Sequence, residues 1–252
     1  MTTKTISLVA FDLDDTLAPS KSPLPADMIQ ALLDLLAVRP VCIISGGQYG
    51  QFEAQIIANL PDSPLLERLH LMPTNGTRYH SYVDGQWVEQ YAHELDPELR
   101  DRALAALEAQ ARRLGLWEDD TWGPILEDRG SQVTFSALGQ AAPVEAKKAW
   151  DPDGSKRATL REAVAPHVPE LDVHAGGSTS IDITTRGIDK AYGITRLAEI
   201  LDVPLGDILF VGDRLMPGGN DFPVIALGVQ THAVDGWEET LDFLRGLLPF
   251  LA

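Results

Sequence analysis

The stretch "ISLVAFDLDDTL", residues 6–17, decides the fold. Ile6 to Phe11 is an apolar, partly β-branched run of strand length, which reads as a buried strand. Three carboxylates, Asp12, Asp14 and Asp15, then fall within four positions at its end. Like charges so close repel, and burying them is costly unless something positive completes the cluster. A calcium loop of the EF-hand kind needs glycine at its sixth position and glutamate at its twelfth. Counted from Asp12, those positions are Leu17 and Pro23, so that explanation fails.

Outward from this stretch the chain alternates strand and helix. In "ADMIQALLDLLA" (26–37), Ile29, Leu32, Leu33 and Leu36 recur at helical spacing and form one apolar face. Val41 to Ile44 is a second buried strand, ended by Ser45-Gly46-Gly47. Residues 49–59 suit a helix, and residues 70–72 a short third strand before the turn "PTNG". Strand–helix alternation predicts a Rossmann-like parallel sheet with helical crossovers.

The middle of the chain has another style. "DGQWVEQY" (84–91) starts with a turn and runs into strand-like residues. Asp96-Pro97 is an N-cap followed by a first-turn proline, and Leu99, Ala103, Leu107, Ala111 and Leu114 stripe the helix that follows. "SQVTFSA" (131–137) alternates with period two, residues 155–165 suit a helix, and "LDVHA" and "TSIDIT" are two more strands. Beyond about residue 187 the first style returns: a helix face at Ile194, Leu197, Ala198 and Leu201, strands at "ILFVGD" (208–213) and "VIALGV" (224–229), and a C-terminal helix from about 236. The fold class is therefore α/β: a core of residues 1–82 and 187–252, with residues 83–186 inserted as an α+β cap of antiparallel sheet and two helices.

Composition narrows the partners. The 252 residues carry a net charge of −17 with no Lys/Arg block, which argues against nucleic acid and anionic membranes. An anionic substrate must be drawn in by a local cationic pocket. Cys42, in an apolar run, is the one cysteine and reads as a buried, inert thiol, so no intramolecular disulfide can form. The N-terminal apolar run is too short for a signal peptide, and no stretch reaches 18 apolar residues. A cytoplasmic protein is expected.

In an open parallel sheet, ligands bind beyond the carboxyl ends of the strands. Four polar elements fall there: Asp12/Asp14/Asp15/Thr16; Ser45-Gly46-Gly47; Asp189-Lys190, opening a helix; and Gly212-Asp213 with Asn220-Asp221. Two carboxylate clusters, a hydroxyl and a lysine suit phosphoryl transfer. A hard cation takes oxygen ligands and relieves the carboxylate repulsion. One aspartate can attack phosphorus as a nucleophile. Another two residues on can act as general acid and base where its surroundings raise its pKa. Ser45 and Lys190 can hold the oxygens of the transferring group.

These residues also carry a family resemblance. "FDLDDTL", Ser45 in "IISGG", Lys190 in "GIDKAYG" and "FVGDRLMPGGND" resemble, in order, the four motifs of the haloacid dehalogenase superfamily of phosphotransferases. The long fourth motif, "LAPSKSPL", "ILEDRG" and "GGSTSIDIT" are similar to those of eukaryotic-type phosphomannomutases. The resemblance implies Asp12 as nucleophile and Asp14 as general acid/base. It implies Mg²⁺ on Asp12, the Asp14 backbone carbonyl and Asp213, with Thr16, Gly46, Asn220 and Asp221 in support. It implies a sugar phosphate held by Lys21, Arg129, Gln140, Lys147, Ser180 and Asp182, with the site in a cleft that the cap closes. Asp15, where many relatives have glycine, has no role in that scheme.

The activity so implied is interconversion of hexose 6- and 1-phosphates through a hexose 1,6-bisphosphate, with homodimerisation through the cap. One departure opens an alternative. Lys21, Gln140 and Lys147 stand where such mutases usually carry arginine. Lysine lacks the bidentate guanidinium fork, and Gln140 has no charge. A weaker hold on a second phosphate suits a sugar-phosphate phosphatase, which binds only one. A non-catalytic sugar-phosphate sensor is the remaining reading, and the intact Asp12, Asp14, Lys190 and Asp213 argue against it.

Overall fold

The computed structural model describes residues 5–251. They divide into two compact units, one of residues 5–92 with 189–251 and the other of residues 93–188.

The first unit begins with β1 (Leu8–Phe11), α1 (Ala26–Val38), β2 (Val41–Ile44), α2 (Tyr49–Gln55), β3 (Leu69–Met72), β4 (Arg78–Val83) and β5 (Gln86–Ala92). β1, β2 and β3 are wholly buried, as expected of strands covered on both faces. Their side chains alternate: Val9, Phe11, Val41, Ile43, Leu69 and Leu71 pack with Leu32, Leu35 and Leu36 of α1. Leu8, Ala10, Cys42 and Ile44 join a second cluster on the opposite face. Cys42 is buried as the sequence suggests, and burial pushes its thiol well above the usual range.

The second unit holds α3 (Pro97–Arg113), β6 (Leu126–Asp128), β7 (Gln132–Ser136), α4 (Val144–Trp150), α5 (Ser155–Val164), β8 (Leu171–Ala175) and β9 (Ser180–Thr185). Asp96 caps α3 by accepting from the Glu98 and Leu99 amides, with Pro97 at the first helical position. The strands form one antiparallel sheet in the order β6-β7-β9-β8. Val133, Phe135, Ile181 and Ile183 pack with Leu107, Leu160 and Val164 of the helices. The unit has three α-helices where the sequence suggested two. The extra one is α4, whose "VEAKKAW" leaves Trp150 alone buried and so shows no apolar stripe.

The chain returns to the first unit with α6 (Lys190–Leu201), β10 (Ile208–Gly212), α7 (Phe222–Ile225), β11 (Gln230–Ala233) and α8 (Trp237–Leu251). The full sheet runs β11-β10-β1-β2-β3-β4-β5, parallel from β11 to β3 and antiparallel at β4 and β5.

Two sequence expectations are corrected here. The inserted segment begins at residue 93 rather than 83 and ends at 188 rather than 186, because β5 pairs with β4 as an edge strand of the seven-stranded sheet. "VIALGV" is also not a strand. Pro223 fixes a backbone angle suited to the first turn of a helix, α7 begins there, and the strand shifts to the polar edge segment "QTHA".

Candidate active site

Asp12 sits one residue past β1, and its backbone N–H donates to the Val211 carbonyl at 3.0 Å, extending the β1–β10 ladder. That places it beside Asp213, one residue past β10. Thr16 joins the two strand ends: its hydroxyl accepts from the Asp213 amide at 3.1 Å. Lys190 is the first residue of α6, which Asp189 caps by accepting from the Tyr192 amide at 3.0 Å.

Lys190 is 1% exposed, so its charge is bearable only with partners. Its Nζ lies 2.6 Å from Asp12 Oδ1 and 2.5 Å from Asp221 Oδ1. Asp221 is fully buried, and its Oδ2 accepts from the Arg214 amide at 3.1 Å. Gly212 makes room for this carboxylate, because a Cβ there would stand 2.5 Å from Asp221 Oδ2. Asp221, a supporting residue by sequence, is thus central. Asn220 beside it makes no hydrogen bond among the described residues.

The charges do not balance. Burial, reinforced by the Asp221 and Asp213 carboxylates, pushes Asp12 up to about 8 despite the attraction of Lys190. Burial and Asp221 likewise raise Asp213. Carboxylate oxygens of Asp12, Asp213 and Asp221 lie within 4.8 Å of one another, a spacing and an all-oxygen donor set that fit one hard divalent cation. Such a cation would remove the cost of holding these groups ionised.

Asp14 points to other partners. The Lys21 backbone N–H donates to its Oδ1 at 2.8 Å, Lys21 Nζ to Oδ2 at 2.7 Å and Gln51 Nε2 to Oδ2 at 2.9 Å. Gln51 Oε1 accepts from Lys21 Nζ at 2.6 Å, closing a ring of three side chains. A Cβ at Gly47 would lie 2.0 Å from that Oε1, so this glycine admits Gln51. Burial acts to raise Asp14, but the charge and hydrogen bonds of Lys21 and Gln51 outweigh it and hold the carboxyl below its usual range. The sequence argument asked for a raised acid, and the surroundings supply a stabilised anion. Nothing in the sequence singles out Gln51.

Ser45 follows β2, and its Oγ accepts from the Gly47 amide at 3.1 Å. The Ser45 and Gly47 carbonyls accept from Asn75 and Thr74, tying this loop, with Gly46 in it, to the turn after β3. Asp15 also gains an explanation. It has a φ of +62°, its amide donates to the Ala18 carbonyl and its carboxylate accepts from the Ser20 amide, so it is a left-handed turn residue.

The other predicted residues lie in the second unit. Arg129 pairs with Glu127, Nε to Oε2 at 3.0 Å and Nη2 to Oε2 at 2.6 Å. Gln140 donates to Ser136 Oγ at 2.5 Å, and the Gln140 carbonyl accepts from Lys147 Nζ at 2.7 Å. Ser180 Oγ is 3.3 Å from Ser136 Oγ. Asp182 Oδ1 accepts from Gln132 Nε2 at 2.8 Å and from Thr134 Oγ1 at 2.7 Å. Gln132, Thr134 and Ser136 escaped the sequence argument although the period-two pattern of β7 puts them on one polar face.

The sequence profile of eukaryotic phosphomannomutase matches residues 120–249, just over half of the chain. The chain belongs to this family. A probable phosphomannomutase of Caenorhabditis elegans is 22% identical over 256 residues, which cover 96% of this chain and 95% of that protein. A phosphomannomutase of Saccharomyces cerevisiae is 24% identical over 257 residues, 96% of this chain and 94% of that one. Among solved structures, an N-terminally truncated Plasmodium falciparum IMP-nucleotidase superposes with a TM-score of 0.71 at 16% identity, over 98% of this chain and 71% of that chain, a likeness of fold. Among the described residues, no helix is long and apolar enough to cross a membrane.

Proposed function

We propose that this protein is a Mg²⁺-dependent phosphotransferase of hexose phosphates, interconverting mannose 6-phosphate and mannose 1-phosphate through an aspartyl-phosphate. The observation that carries the reading is the Lys190 ammonium held between Asp12 and Asp221, with Asp213 alongside, in a chain of the eukaryotic phosphomannomutase family.

Asp12 attacks phosphorus: a bond forms from its carboxylate oxygen, and the bond to the departing oxygen breaks. Lys190 holds Asp12 in place and offers N–H to the non-bridging oxygens, and the Ser45 hydroxyl offers its O–H to them. Asp12, Asp213 and the Asp14 backbone carbonyl would hold the cation, with Asp221 behind them; bound there, it neutralises charge on the phosphoryl group. Asp14, kept as an anion by Lys21 and Gln51, takes the proton of the incoming sugar hydroxyl and returns it to a leaving oxygen in the reverse step. Hexose 1,6-bisphosphate as activator, a homodimer through the second unit and a cytoplasmic setting belong to the same reading and rest on family likeness.

A specific observation favours a second reading, a sugar-phosphate phosphatase. Arg129 is already paired with Glu127, Lys147 with the Gln140 carbonyl, and Gln140 has no charge, which leaves less for a second phosphate. One assay separates the two. Mannose 1-phosphate with Mg²⁺ and catalytic hexose 1,6-bisphosphate should give mannose 6-phosphate only when the bisphosphate is present. Free phosphate without mannose 6-phosphate would establish the phosphatase instead.

A further inference from the structure

Four neighbouring parallel strands of the first unit, β10, β1, β2 and β3, run out in that order into Asp213, Asp12, Ser45 and the turn of residues 73–77. The first three supply the proposed site. The turn stands next in the row, and its backbone is strained. Thr74, Asn75 and Gly76 have φ of +49°, +56° and +84° in succession. Glycine adopts that region freely and asparagine tolerates it, but a β-branched threonine there is an outlier. Such strain persists only where the surroundings over-determine it, and it gathers at functional sites.

The surroundings here do so. The Thr74 and Asn75 amides donate to the Gly47 and Ser45 carbonyls, each at 2.9 Å, and the Gly76 amide donates to the Pro73 carbonyl at 3.0 Å. The Thr74 and Thr77 hydroxyls meet at 2.6 Å, and the Gly76 carbonyl accepts from the Tyr91 hydroxyl at 2.8 Å. On another side the turn abuts the Lys190 end of α6, where a Cβ at Gly193 would stand 2.7 Å from the Asn75 carbonyl oxygen. The Asn75 side chain is the exception. It is half-buried and makes no hydrogen bond among the described residues. It lies against Gly46, where a Cβ would stand 3.7 Å from Asn75 Oδ1 and 3.8 Å from Nδ2. A neutral amide with two N–H donors is therefore held, on a backbone fixed from both sides, beside the glycine that follows Ser45.

We propose that Asn75 is a further residue of this site, donating from Nδ2 to a non-bridging oxygen of the phosphoryl group that Asp12 accepts. This rests on the proposed function for the phosphoryl group and adds a donor to it. The transferring group spreads negative charge over three oxygens, and donors already in place stabilise that charge without reorganising. Lys190 and the Ser45 hydroxyl are two such donors; Ser45 Oγ accepts from the Gly47 amide, which leaves its O–H to give. The Asn75 amide supplies a third from the next strand end, and it brings no further charge to a cluster of three carboxylates and a lysine. Backbone preference alone does not account for it. Glycine satisfies a φ of +56° at least as well as asparagine. An asparagine serving only the turn would also spend its amide on nearby backbone, as such residues commonly do.

The test is calorimetric titration of the full-length protein with orthovanadate, a mimic of the transferring phosphoryl group, in Mg²⁺. The wild type should bind it. Asn75→Gly should bind about tenfold more weakly or worse, the worth of a hydrogen bond to a charged group. Asn75→Asp replaces the donors by a like charge at the same size, so it should bind more weakly still. Both variants tolerate a positive φ and should keep the wild type's urea midpoint. Asn75→Asp keeps the proposal testable if the glycine variant fails to fold. Undiminished binding by a folded variant, or no binding by the wild type, would overturn it. So would a loss of binding that comes with a lowered urea midpoint in both variants, which would make Asn75 a turn residue alone. The phosphate-release and isomerisation assay judges the proposed reaction separately. A protein that hydrolyses rather than isomerises mannose 1-phosphate leaves this proposal standing, and variants that bind orthovanadate like the wild type end it while the reaction stands.

Discussion

Lys21 Nζ lies 2.7 Å from Asp14 Oδ2, while the Lys21 backbone N–H, in a residue with φ of +58°, donates to Asp14 Oδ1. The same lysine that family likeness gives to the substrate thus holds the proposed general base. The two roles separate kinetically. Lys21→Met should lower kcat on mannose 1-phosphate by about tenfold or more while KM moves less than threefold, because what is lost is the placing of Asp14. A raised KM at unchanged kcat would mean that Lys21 serves the substrate alone.

Among the described residues, Lys190 is the buried cation that touches two of the three clustered carboxylates. Lys190→Met leaves Asp12 and Asp221 buried without it. Removing one partner of such a pair costs about 3–5 kcal/mol. Urea unfolding in EDTA should show a loss of that order, with turnover reduced about a hundredfold or more. A variant as stable as the wild type would show that the carboxylates are protonated and need no cation.

Much of this site was legible in the sequence, for a physical reason. Asp12, Ser45, Lys190 and Asp213 are polar residues that abruptly end apolar strands or open a helix, and a parallel sheet brings such ends to one edge. What stayed hidden depends on pairing. Gln51 reaches Asp14 because Gly47 lacks a side chain, and Thr134 reaches Asp182 through sheet register; neither leaves a local signature. β5 was assigned to the insert because a hairpin sequence carries no mark of which sheet it joins. "VIALGV" looked like a strand because it is apolar and half of its residues are β-branched, but Pro223 sits in the first turn of a helix and the true strand is a polar edge.

Gly193 of α6 packs against the turn after β3. A Cβ there would stand 2.5 Å from Ile44 Cδ1 and 2.7 Å from the Asn75 carbonyl oxygen, and Gly76, at φ of +84°, faces it in turn. Alanine is ordinarily the better helix residue by up to about 1 kcal/mol. Here Gly193→Ala should instead destabilise by about 1–3 kcal/mol, since neither backbone can give way. It should also lower kcat, because α6 carries Lys190. Unfolding in urea measures the first effect, and a stabilised variant would contradict the packing.

His70 is buried in β3 with Nδ1 2.9 Å from the Tyr79 hydroxyl, and burial lowers its pKa to about 4. Unfolded, it titrates near 6.5, so between those values the unfolded chain binds the extra proton. Its contribution to stability is therefore complete above pH 6.5 and falls by about 1.4 kcal/mol per pH unit toward pH 4. The stability gap between the wild type and His70→Phe should shrink by about 2 kcal/mol from pH 7 to pH 5. A gap that is the same at both values would show that His70 is free to protonate in the folded protein.

The central claim is that Asp12 carries the phosphoryl group. The direct measurement is peptide mass spectrometry of the acid-quenched protein after brief exposure to hexose 1,6-bisphosphate and Mg²⁺. The expected result is a hydroxylamine-labile phosphoryl group on the peptide containing Asp12, absent from Asp12→Asn. A phosphoryl group on another residue, or turnover retained by Asp12→Asn, would contradict it.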